Sequence, residues 1–129
     1  RRLPKRLGSV RVIIESPYSG GHPDNIKYAR RCLWDSILRD ESPFASHLLY
    51  TQVLDDKISE QRQNGMKLAL AWYEVAELCA VYMDRGMTEG MESGIKHAKS
   101  LGIPIEERML KDGSTSQTSF GDRFRSHWG

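Results

Sequence analysis

A chain of 129 residues supplies core for about one domain, and 39% hydrophobic with 28% charged residues is the balance of an ordinary folded protein. A formal net charge of +2 is too small to call for nucleic acid, and no apolar run approaches the roughly 20 residues of a membrane helix. With no apolar signal-peptide core at the N-terminus either, the expectation is a cytoplasmic protein without a membrane partner.

The chain opens on Arg1 rather than Met, which leaves the length of any preceding sequence open. Cys32 and Cys79 sit in apolar periodic segments with no second Cys or His at ligand spacing, so buried free thiols are expected, and neither a metal nor a cofactor.

Residues 1–9, RRLPKRLGS, are basic and aperiodic, as in a flexible arm; four basic residues without interleaved aromatics make a weak nucleic-acid footprint. Val10 to Ile14 is a β-branched run suited to a strand covered on both faces. Its exit, Glu15 to Pro23, is dense in turn formers, and Gly20-Gly21 allows close approach to a ligand.

Asp24, a good N-cap, introduces an amphipathic helix to about Arg39, with Ile26, Ala29, Leu33 and Ile37 on its stripe and Tyr28 and Trp34 as packing residues. Phe44 to Gln52 fits either a short helix capped by Ser42 or a second strand, and its His47 is either a ligand contact or a structural residue. In the loop that follows, Asp55 and Asp56 are adjacent and so point apart; one of them could cap the next helix.

Ser59 or Glu60 opens a helix to about Leu78, with Met66, Ala69, Leu70, Tyr73 and Ala76 on its apolar stripe and Gly65 costing it roughly 1 kcal/mol. A strand over about Cys79 to Met83 is stopped by Asp84, turned at Arg85-Gly86, and followed by a helix opened by Thr88. Met91, Ile95, Ala98 and Leu101 form that helix's stripe, and Gly102 with Pro104 ends it. Ile103 to Met109 reads as an edge strand. Residues 111–129 form a polar tail whose Phe120, Phe124 and Trp128 suggest docking.

Strands alternating with helices predict an α/β fold: a parallel sheet of four to five strands with helices on both faces. Ligands of such sheets bind beyond the carboxyl ends of strands where chain order reverses. If the first strand neighbours Cys79–Met83, the loops Ser16–His22 and Asp84–Gly90 face one crevice. Ser16, Tyr18, Ser19, Gly20, Gly21, His47, Thr88, Gly90 and Met91 are then the candidate ligand-binding residues, rich in the hydroxyl and backbone N–H groups that suit a phosphate or a sugar. Neither a Gly-Lys-Ser/Thr phosphate loop nor GxGxxG is present.

The segments ESPYSGG, SPFASHLLYTQVLDD and YMDRGMTEGMESGIKHAKSLGIPIEER resemble the nucleoside 2-deoxyribosyltransferase-like family, especially its small, often phage-borne members related to nucleotide N-glycosidases. The resemblance spans Val10 to Arg108, so residues 10–110 form the domain. Thr88-x-Gly90-Met91 with Ile95 and Ala98 is similar to the family's S-x-G-x-x-x-E-I-x-x-A helix start. It implies a flavodoxin-like, Rossmannoid sheet, a homodimer or higher homo-oligomer, and cleavage or exchange of the N-glycosidic bond of a nucleoside or its 5′-monophosphate.

In active relatives a glutamate on that helix attacks the anomeric carbon, which suits an oxocarbenium-like transition state. Here that position is Gly94. Glu92, about 200° away around the helix, faces elsewhere. The remaining candidate catalytic carboxylates are Asp84 and Glu89, with Tyr18 and Tyr82 as helpers to Asp84. Three readings stay open: an enzyme, a non-catalytic nucleotide binder, and an interaction protein with a vestigial site.

Overall fold

The computed structural model describes residues 9–18 and 22–110. Ser19, Gly20 and Gly21, the C-terminal tail, and the basic arm except for Ser9 lie outside the described residues. The elements in chain order are β1 (Arg11–Glu15), α1 (Pro23–Leu38), β2 (Ser42–Phe44), α2 (Ser46–Leu49) running into a 3₁₀ turn (Tyr50–Gln52), α3 (Ser59–Tyr73), β3 (Leu78–Tyr82), α4 (Glu89–Ser100) and β4 (Ile105–Arg108). The strands form a four-stranded sheet in the order β2-β1-β3-β4, parallel throughout. Among the described residues no helix is long and apolar enough to cross a membrane.

Side-chain alternation along the central strands sorts the core into two layers. Val12, Ile14, Ala80 and Tyr82 point to one face and pack with Tyr28 and Cys32 of α1. Ile13, Cys79 and Val81 point to the other and pack with Tyr73 of α3 and with Met91 and Ala98 of α4. Helices thus cover both faces, and both cysteines are buried and unpaired.

Several boundaries differ from those expected. The N-cap of α1 is His22, whose Nδ1 accepts the Asp24 N–H at 3.2 Å, and Asp24 lies in the first turn. Phe44–Gln52 contains both alternatives at once: Phe44 closes a strand opened by Ser42, and the helix after it is capped by Ala45, not Ser42. Helix α3 stops at Tyr73 rather than near Leu78, because Leu78 already pairs with Val12 in the sheet and the chain needs the intervening turn to reach it. Of the stripe expected in the core, only Tyr73 within α3 is buried, and Met66 and Trp72 remain half exposed.

The α1–β2 turn is tied to the last strand by Arg108, whose guanidinium donates to both carboxylate oxygens of Glu41 at 2.8 and 2.7 Å and to the Tyr82 hydroxyl at 3.2 Å. Its side chain is only 2% exposed and that of Glu41 14%, so both charges are largely shielded from water. Arg108→Leu strands the carboxylate, and urea unfolding is expected to show a loss of about 3 kcal/mol or more. Replacing both residues with leucine should cost clearly less than Arg108→Leu alone.

Candidate functional site

Strands β1 and β3 pair directly, with Glu15 opposite Val81, and the chain leaves them in opposite directions across the sheet. Beyond the carboxyl end of β1 lies a cavity of about 430 Å³, bounded by the β1 exit, α2, α3 and the start of α4. That volume is within the roughly 300–1,000 Å³ of small-molecule sites. Gly65, Met66, Ala69, Leu70 and Tyr73 recur at helical spacing on α3 and line it. Most of the apolar stripe that sequence periodicity assigns to the core is therefore a cavity wall.

Polar side chains complete the lining. Glu15 is the last residue of β1, and alternation puts it on the face of Ile13, beneath α3 and α4. It is 8% exposed and accepts a hydrogen bond from the Tyr73 hydroxyl. Burial raises its carboxyl from an ordinary 4.5 to about 7, against the opposing pull of the Tyr73 hydrogen bond. The space it occupies exists because residue 94 has no side chain. A Cβ there would lie 2.7 Å from the Glu15 carboxyl carbon and 2.6 Å from the Tyr73 hydroxyl.

A second polar pair stands beside it. Ser16 Oγ and His47 Nε2 are 2.7 Å apart, and the Tyr18 ring meets the imidazole edge-on at 6.2 Å between centroids. Burial lowers His47 to about 4, so it is neutral at physiological pH and can donate from one nitrogen while accepting at the other. At the far end Thr88 caps α4, its Oγ1 accepting the Met91 N–H at 3.2 Å.

Of the residues singled out from sequence, Ser16, Tyr18, His47, Thr88, Glu89, Gly90 and Met91 all line this cavity. Asp84 does not. Its carboxylate accepts from the Tyr28 hydroxyl at 2.6 Å and from the Leu110 N–H at 3.1 Å, which fastens α1 to the chain beyond β4 on the opposite face. Tyr82 is likewise turned to that face, its hydroxyl donating to Asp35 at 2.7 Å. Glu15, Tyr73 and the steric role of Gly94 were not singled out as site features; extending the strand's alternation by one residue beyond Ile14 is the signal that finds Glu15. Among the described residues no three His, Cys, Asp or Glu side chains are grouped to hold a metal ion.

The family model described as a domain of unknown function, DUF7768, matches residues 10–108, and the chain belongs to that family. No curated protein matches by sequence. In three dimensions the chain is similar to a 2-deoxyribosyltransferase from the psychrotolerant bacterium Bacillus psychrosaccharolyticus, with a TM-score of 0.61 at 15% identity over 84% of this chain and 79% of that one. At that identity the likeness is one of fold, and it agrees with the parallel α/β sheet.

The two buried groups act oppositely on stability. Between pH 4.5 and about 7 the folded protein keeps a proton on Glu15 that the unfolded chain has lost, so this contribution falls as pH rises. Between about 4 and 6.5 the unfolded chain protonates His47 while the folded protein does not, so this one grows as pH rises. In urea unfolding from pH 4.5 to 6.5, Glu15→Gln is expected to gain stability with pH more steeply than the parent. His47→Gln should shift the slope the other way.

Proposed function

We propose that the cavity binds a nucleoside or its 5′-monophosphate and that the protein cleaves or exchanges the N-glycosidic bond. The observation that carries this is the mixed lining of the cavity, apolar at Met66, Leu70 and Leu54 and polar at Ser16, His47 and Glu15. A planar base fits the apolar side chains, and sugar hydroxyls fit the polar ones. The cavity also lies where ligands of open parallel sheets bind, at the point where strand order reverses, and the fold is that of a protein described as a 2-deoxyribosyltransferase. Water as acceptor makes the reaction a hydrolysis; a second base makes it a transfer.

The active form is a homo-oligomer on the same account. Leu68 and Trp72, one turn apart on α3, are 40% and 47% exposed, a pair of large apolar side chains costly to leave in water. Light scattering after size exclusion is expected to give a multiple of the 14.7 kDa chain mass, and Leu68→Glu to reduce it.

Ribo- and deoxyribonucleosides and their 5′-monophosphates, incubated with the protein and followed by chromatography, should release free base in at least one case. The same compound should raise the melting temperature, since a ligand at 100 times its Kd adds about 2.7 kcal/mol. Ala69→Trp fills the cavity from α3 and should abolish both effects. A melting shift without release in any case would identify a non-catalytic binder, and the absence of both effects would refute the proposal.

A further inference from the structure

We propose that Glu15, delivered from the end of β1, is the carboxyl group that acts on the anomeric carbon, and that Gly94 is the opening in α4 that admits it. The assignment rests on the nucleoside reading above and names the residue which that reading leaves open.

Three observations carry it. Among the described acidic residues lining the cavity, Glu15 alone is buried; Asp56 is half-buried and drawn to Arg62 at 3.9 Å, and Glu89 is exposed. A carboxyl group at a cavity floor, held by a single phenol and lacking a cationic partner among the described contacts, is costly for stability alone. Finally, α4 has given up a side chain at the one helical position whose Cβ would occupy this volume. Glycine in a helix interior costs about 1 kcal/mol relative to alanine, so close approach by Glu15 is a physical reason for it to stand there.

The step balances as follows. An ionised Glu15 oxygen bonds to the anomeric carbon as the carbon–nitrogen bond breaks; the electron pair leaves with the base nitrogen, which takes a proton from solvent. Water then attacks the same carbon, the carbon–oxygen bond to Glu15 breaks, the carboxylate is restored and the surplus proton returns to solvent. With a second base in place of water the outcome is exchange. Tyr73 is a positioning residue: its hydroxyl holds the carboxyl toward the cavity while leaving one oxygen to react.

The test compares base release and ligand-induced melting shift in the parent, Glu15→Gln, Gly94→Ala and Glu15→Ala. Glu15→Gln keeps the shape and the Tyr73 hydrogen bond; release is expected to fall by at least about 10³-fold while the melting shift by the nucleoside persists. Gly94→Ala should displace the carboxyl and lose release as well, and should cost less stability in a Glu15→Ala background than in the parent. Added formate should partly restore release by Glu15→Ala, which a merely structural carboxyl would not allow. Release by Glu15→Gln within about threefold of the parent overturns the assignment while leaving the nucleoside reading intact. Absence of release from the parent overturns the assignment together with bond cleavage, and absence of a melting shift as well overturns nucleoside binding.

Discussion

A carboxyl group buried without a counter-charge among the described residues is the constraint around which this site is arranged. Glu15 ends β1 and reaches into the space between α3 and α4, and the surrounding chain yields to it: Tyr73 supplies a hydrogen bond from one helix and Gly94 supplies room from the other. Most of the cost of removing a carboxylate from water is met by keeping it protonated, which is why its affinity for a proton rises to about 7. Near neutral pH such a group is divided between its two forms, the condition under which a carboxyl both holds and releases a proton readily.

The two faces of the sheet divide the labour. On the α1 face the polar groups satisfy one another: Tyr28 with Asp84, Tyr82 with Asp35, and Arg108 with Glu41. Those contacts join elements distant in sequence, and they leave little for a ligand to take up. On the α3/α4 face the polar groups Glu15, Ser16 and His47 open on a cavity instead, next to apolar side chains that α3 does not commit to the core. The same helix therefore carries both cavity-lining and exposed apolar side chains, and this explains how it can hold so many of them and yet bury so few.

Much of this was legible in the residues. The β-branched run ending at Ile14, the Thr88 cap and the Gly102 and Pro104 stop are local signals whose physics does not depend on the rest of the fold, and strands and helices lie close to where they point. The pairing of β1 with β3, on which the two-loop crevice depends, enters the sequence reading only as a condition, and the strand order β2-β1-β3-β4 meets it. What the sequence reading left undrawn is which way a strand-end side chain faces, although alternation puts Glu15 with Ile13 and Asp84 with Tyr82 on opposite faces. Asp84 and Glu15 both stand at strand exits, and the face each takes decides that one fastens α1 while the other enters the cavity. Gly94 was legible as a departure from a family pattern but not as a fit, since the group that fills its space lies 79 residues away in the chain, 94 − 15.

The most direct test of the central claim is a pH titration of the protein carrying ¹³C-labelled glutamate carboxyls. One resonance, absent in Glu15→Gln, is predicted to titrate near pH 7 and to shift when a nucleoside is bound. Glutamate carboxyls that all titrate close to the ordinary 4.5 would show that Glu15 is solvated, and would contradict the account.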